Sequence, residues 1–174
     1  MPAPKNHLKA ALAQNETQIG LWLNLGSGAA AETAAGAGFD WCLVDGEHGP
    51  YDIAAIRDQL IAIERHGCAS VVRVPANEEW MIKQVLDLGA QSLLVPMVDT
   101  ADQARAAARA ALYPPEGVRG MGAAVARASG YNAIADYVGT ANGEICVMVQ
   151  AESRAALDNL DAIAATEGVD VVFI

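Results

Sequence analysis

Positive charge is scarce in this chain of 174 residues. Its 11 lysines and arginines stand against 21 aspartates and glutamates, a net charge of −10. A chain so acidic repels phosphate backbones, which argues against nucleic acid as a main partner. Cysteine is scarce as well. Cys42, Cys68 and Cys146 are odd in number and far apart, so they do not read as a disulfide framework. Cys42 and Cys146 lie inside apolar runs and read as small core residues of a protein in a reducing, cytoplasmic compartment. No charge-free apolar run reaches the ~18 residues that a membrane span needs, so no membrane association is expected. The N-terminal MPAPKNHLKAALAQNE shows no apolar core before a cleavage site, and no secretory leader is expected.

What is present is apolar and regular. Hydrophobic residues make up 53% of the chain, and a domain of this length can bury roughly 70% of its unfolded surface. Residues 1–174 read as a single domain. β-Rich runs occur at 19–25, 41–45, 70–75, 91–98, 144–150 and 169–174, and between them lie AAAETAAGAG, YDIAAIRDQLIAIERHG, EEWMIKQVLDLGA, TADQARAAARAAL and SRAALDNLDAIAATEG. Gly38, Gly67, Gly89 and Gly168 fall where helix C-caps are due. Strands alternating with helices predict an α/β fold with a parallel sheet, and strands apolar throughout predict burial on both faces. One stretch, YPPEGVRGMGAAVARASGYNAIADYVGTANG, is far longer than a βα connection needs, and such loops are usually functional. The sixth strand reaches the last residue, where a loop is due.

In parallel α/β folds the chemistry gathers at the carboxyl ends of the strands. There stand Asn24, Gly26 and Ser27 after the first strand, Asp45, Glu47 and His48 after the second, and Arg73 on the third. Asp99 follows the fourth strand, and Gln150 and Glu152 end the fifth. The guanidinium of Arg73 keeps its charge at any ordinary pH, so on a buried strand it must meet an anion. Two readings stand open: a structural ion pair with Glu47 or Glu152, or a fork that binds a substrate carboxylate or enolate. His48 is the acid/base candidate, since imidazole changes charge near neutral pH; the plain alternative is a capping residue. His7 and His66 read as surface residues. Converging carboxylates suit a hard divalent cation, while Asp45, Asp99 and Ser153 could equally be helix N-caps, the reading preferred for the last two. Asp87 sits late in a helix, where the dipole disfavours a carboxylate, so it needs a specific partner or is simply solvated. A competing motif is Gly26-x-Gly28-x-x-Ala31, a dinucleotide fingerprint with Asp45 placed to hold a ribose. It would make the chain an NAD(P)-binding oxidoreductase, but leaves His48, Arg73 and Glu152 without a role.

The segments IGLWLNLGSG, AGAGFDWCLVDGEHGP, VVRVP, IKQVLDLGAQSLLVPMVDTADQA, ARAALYPPEGVRGMG, ARASGYN, VMVQAES and EGVDVVFI, in this order, resemble the HpcH/HpaI family of class II, metal-dependent pyruvate aldolases. The resemblance implies a (β/α)8 TIM barrel, of which this chain supplies about the first six βα units before an apparent truncation. A complete barrel of this kind typically takes about 250 residues. It implies reversible retro-aldol cleavage of a 4-hydroxy-2-oxo acid to pyruvate and an aldehyde through a metal-stabilised pyruvate enolate. Mg2+, Mn2+ or Co2+ is the implied cofactor, with no organic cofactor. Glu152 matches a metal carboxylate, whose acidic partner is expected past Ile174. Arg73 matches the arginine on the enolate oxygen, His48 the proton-transfer histidine, and Asp87 an acid that pairs with this histidine from a neighbouring subunit. Gln150 matches a glutamine near pyruvate, and Asp45 and Glu47 match acids supporting the site. The implied assembly is a homohexamer. No lysine stands at a strand end, and Lys83 alone follows Lys9, which disfavours a Schiff-base aldolase.

Overall fold

A computed structural model describes residues 1–49 and 52–174. Pro50 of the VDGEHGP motif and Tyr51, the first residue of a predicted helix, lie outside the described residues. The elements are α1 (His7–Ala13), β1 (Gly20–Leu23), α2 (Gly28–Ala35), β2 (Trp41–Asp45), α3 (Ile53–Glu64), β3 (Ala69–Arg73), α4 (Glu79–Asp87), β4 (Ser92–Val95) and α5 (Ala101–Ala111). Then come α6 (Tyr137–Ala141), β5 (Cys146–Gln150), α7 (Arg154–Asp158), α8 (Leu160–Ala164) and β6 (Val171–Phe173). The strands form one parallel sheet in the order β1-β2-β3-β4-β5-β6.

That order carries a consequence. Among the described residues each strand pairs with its sequence neighbours, so the order shows no reversal of the kind at which doubly wound sheets bind dinucleotides. The sheet instead curls. Five strand spacings would set β1 and β6 ~24 Å apart in a flat sheet, yet Trp22 of β1 and Phe173 of β6 meet with ring centroids 5.5 Å apart. The result is a half-barrel with two apolar layers. Helices cover the convex face, burying Val44, Val72, Val95 and Val149 from the strands with Ile56, Leu60, Ile63, Ile82 and Leu86 from α3 and α4. The concave face carries Leu43, Val71, Leu94 and Met148, with Leu8 of α1 packed against them. Period-two alternation thus sorts each strand into two buried faces, which accounts for the unbroken apolar runs.

Local signals placed the helix ends. Gly38, Gly67, Gly89 and Gly168 all take positive φ, between 69° and 106°, as left-handed C-caps do. Ser153 caps α7 by accepting from the Ala156 amide at 3.0 Å. Asp99 does not cap α5. Thr100 does, in a capping box with Gln103, and the Asp99 carboxylate accepts instead from the Ser153 hydroxyl. The last predicted helix is divided into α7 and α8 at Asn159, whose side chain donates to the Asp99 carbonyl at 2.9 Å. Helix α1 was not marked in the sequence. It is capped by Asn6, whose amide also donates to Ser92 and to the Gln91 and Glu144 carbonyls, fastening α1 across the amino ends of the strands. Cys42, Cys68 and Cys146 are free and buried, and burial pushes the Cys146 thiol up to about 12. Among the described residues no helix is long and apolar enough to cross a membrane.

Candidate active site

Strand register sets the site. Asp45 pairs in register with Arg73, and Gln150 with Phe173, so inward-facing positions at the carboxyl ends of β2, β3, β5 and β6 fall in one layer. The alternation that turns Leu43, Val71 and Met148 inward turns Asp45, Arg73 and Gln150 inward two residues later.

Asp45 is fully buried and accepts from both sides. Arg73 gives it a fork, Nε to Oδ1 at 2.9 Å and Nη2 to Oδ2 at 2.6 Å. The Trp22 indole donates to Oδ2 at 3.1 Å and the Asn24 amide at 2.8 Å. The backbone amides of Glu47 and His48 donate to Oδ1 at 3.1 and 3.2 Å. Burial alone would push the Asp45 carboxyl up; the bonds from Arg73, the His48 amide, Trp22 and the Glu47 amide outweigh it and hold the group well below the usual carboxylate range. Arg73 is in turn 5.0 Å from the Trp22 ring, and its Nη1 lies 3.0 Å from Glu47 Oε2. The structural partner of Arg73 is therefore chiefly Asp45, with Glu47 second. Glu152 is linked through Gln150, whose Oε1 faces Arg73 Nη1 at 3.5 Å and whose Nε2 donates to Glu152 Oε2 at 3.0 Å. The Met97 amide donates to Glu152 Oε1 at 2.9 Å. Met97 has φ of 54°, a left-handed conformation that costs a side-chain-bearing residue on the order of 1 kcal/mol.

One hydrogen-bonded chain thus runs along the rim from Asn24 and Trp22 through Asp45, Arg73 and Gln150 to Glu152 and Met97. His48 stands at its edge. Its side chain is 71% exposed, with Nε2 3.7 Å from Glu47 Oε1. Asp87 is not joined to this chain. At the end of α4 it pairs with Arg119, Nη2 to Oδ1 at 2.7 Å, which supplies the partner its position demanded. His7 and His66 are exposed residues, as expected.

The dinucleotide reading does not survive. Asp45, the ribose candidate, has both oxygens committed to protein donors. Gly28 opens α2 in ordinary surroundings, with room for a Cβ at 3.5 Å from the nearest atom, so its lack of a side chain serves no close backbone approach. For a cation, the carboxylate and amide oxygens of Glu152 and Gln150 are donors that suit a hard divalent ion. Their number is short of a shell: among the described residues no three His, Cys, Asp or Glu side chains converge on a metal position.

The HpcH/HpaI aldolase/citrate lyase family model matches residues 18–174. The chain belongs to this family. It is 58% identical over 174 residues to a hydroxypyruvate/pyruvate aldolase of Agrobacterium fabrum, covering all of this chain and 65% of that protein. It is 54% identical over 170 residues to a 4-hydroxy-2-oxo-heptane-1,7-dioate aldolase of Escherichia coli, covering 98% of this chain and 65% of that protein. The chain therefore spans just under two thirds of the length of both curated relatives. The crystal structure of an HpcH/HpaI aldolase/citrate lyase family protein from Burkholderia cenocepacia superposes with a TM-score of 0.93 at 42% identity, over 97% of this chain and 68% of that one.

Within this HpcH/HpaI chain, three residues that hold the predicted site residues escaped the sequence reading. Trp22 could have been found by alternation, two residues before Asn24 on the inward face of β1. Met97 acts through its backbone amide, for which no side-chain signal exists. Arg119 lies in the long connection after α5, where no periodicity says what it faces.

Proposed function

We propose that the protein carrying this chain is a metal-dependent aldolase that reversibly cleaves a 4-hydroxy-2-oxo acid to pyruvate and an aldehyde. The observation that supports it is the buried Arg73 fork, held at the strand ends beside Gln150 and Glu152. In this reading residues 1–174 are one domain, the first six βα units of an eight-unit barrel. Glu152 would hold a divalent cation, Mg2+, Mn2+ or Co2+, with a second carboxylate expected past Ile174; no organic cofactor is needed. Such a cation supplies Lewis-acid polarisation of the 2-oxo acid.

The chain's own residues do the rest. His48, exposed to solvent, takes the proton of the 4-hydroxyl through a water. As the bond between C3 and C4 breaks, C4 becomes the aldehyde carbonyl and the electron pair moves to the 2-oxo oxygen. Arg73 donates to that oxygen, where negative charge develops, and needs no rearrangement because Asp45 and Trp22 already hold it. Gln150 orients the pyruvate unit, Glu47 steadies His48, and Asp87 serves the histidine of a neighbouring subunit. Reprotonation of the enolate gives pyruvate. The homohexamer and the role of Asp87 rest on the family resemblance, and the cytoplasmic location on the unpaired cysteines. The test is pyruvate release from a 4-hydroxy-2-oxo acid by the intact protein before and after EDTA. Chelation should abolish release and added Mg2+ or Mn2+ should restore it; release untouched by thorough chelation would refute the proposal.

A further inference from the structure

Arg119 is only 1% exposed although it belongs to a connection rather than a strand or helix. The residues around it serve to place it. Tyr113 lies two residues past the end of α5 and offers its ring 4.3 Å beneath the guanidinium. The Val118 and Arg119 amides donate to the Arg109 and Leu112 carbonyls at 2.8 and 2.9 Å, folding the turn back on α5. Gly117 is required for that fold, since a Cβ there would overlap both carbonyl oxygens. The backbone that carries the guanidinium is thus fixed, and the side chain presents Nη2 to Asp87 Oδ1 at 2.7 Å.

We propose that Arg119 is a positioning residue that sets the direction in which Asp87 presents its second oxygen. The inference rests on the reading of Asp87 as the acid that works with His48. The terminal torsion of an aspartate is broad, so an untethered carboxylate at a helix end samples many directions. Arg119 removes that freedom by holding Oδ1. Among the described residues nothing donates to Oδ2, and Gly122 leaves that side of it open, where a Cβ would lie in van der Waals contact at 3.7 Å. Asp87 retains 28% of its side-chain surface for an outside donor. A purely structural tie explains this less well. Among the described residues Arg119 Nε and Nη1 are buried without hydrogen-bond partners, and an apolar residue in that place would often be as stable or more so.

The test is a double-mutant cycle in the intact protein, with kcat and KM for the 2-oxo acid read for Arg119→Lys, Asp87→Asn and the pair. Lysine keeps the charge but loses the planar fork. Arg119→Lys should lower kcat about tenfold with KM within about twofold, and should add nothing in the Asp87→Asn background. An unchanged kcat for Arg119→Lys, or two defects that multiply, overturns the inference while leaving the role of Asp87 intact. If Asp87→Asn itself keeps full turnover, the reading of Asp87 fails first and takes the inference with it. Thermal melts accompany each variant. Should Arg119→Lys not fold, Arg119→Gln, neutral and of similar reach, enters the same cycle with the same outcomes.

Discussion

Arg73 and Arg119 are both buried, both lie over an aromatic ring and both pair with an aspartate. They differ in how completely they are held. Arg73 has a two-point fork to Asp45, a second carboxylate at 3.0 Å and an amide oxygen at 3.5 Å. Among the described residues Arg119 has one hydrogen bond, and two of its nitrogens have none. The difference teaches that burial alone does not say what an arginine does. A guanidinium held at several points is rigid, and its direction is set by the protein. A guanidinium with a single tie acts on the group it touches.

The sharpest way to break this comparison is Arg73→Lys. A point charge cannot keep both the fork to Asp45 and a donor on the reacting oxygen, so turnover should fall by a factor of about 10²–10³, the usual loss when such a donor is removed. Steady-state pyruvate release measures it; near-normal turnover would remove Arg73 from the chemistry.

Next is Asp45→Asn, which leaves Arg73 buried against a neutral amide. Breaking such a pair costs about 3–5 kcal/mol, read from urea unfolding. The loss should depend on pH. The Asp45 carboxyl lies below its unfolded range in the folded chain, so its contribution is fully present above the ordinary carboxylate range and fades as pH falls toward the depressed folded value. The stability gap between wild type and Asp45→Asn should therefore narrow on acidification; a gap that stays constant or widens would contradict the assignment.

Trp22→Phe keeps a ring under Arg73 but deletes the indole donor to Asp45. About 1 kcal/mol of stability should go with it, as for one hydrogen bond. The smallest effect belongs to Tyr113→Phe. Among the described residues the buried Tyr113 hydroxyl has no partner, and burial pushes it up to about 12. Its removal should leave stability within about 0.5 kcal/mol of wild type or raise it slightly, because no bond is lost and a desolvated polar group disappears. A larger loss would mean that the hydroxyl, and not the ring alone, holds Arg119.

The strands, the glycine C-caps and the rim residues were legible because each leaves a local mark. A run of apolar residues, a glycine at a helix end and a charge inside VVRVP can be seen without knowing what lies across the sheet. Which acid meets Arg73 could not be seen. Asp45, Glu47 and Glu152 are equally acidic in sequence, and only the pairing of Asp45 with Arg73 in register ranks them. The cap of α5 was misplaced by one residue, since Asp99 and Thr100 are both competent caps and the choice fell to Gln103 and Ser153. The Ala/Gly run after β1 imitates a dinucleotide loop; the strand order dismisses it.

By itself, the sequence determined the alternation of strands and helices, the faces they bury and the set of polar residues at the strand ends, because period and composition are properties of short segments. The tertiary structure decided what those residues touch. The curl that brings Trp22 to Phe173, the register that gives Asp45 to Arg73 and the turn that gives Arg119 to Asp87 join positions 151, 28 and 32 residues apart. No local periodicity reaches across such separations; packing does.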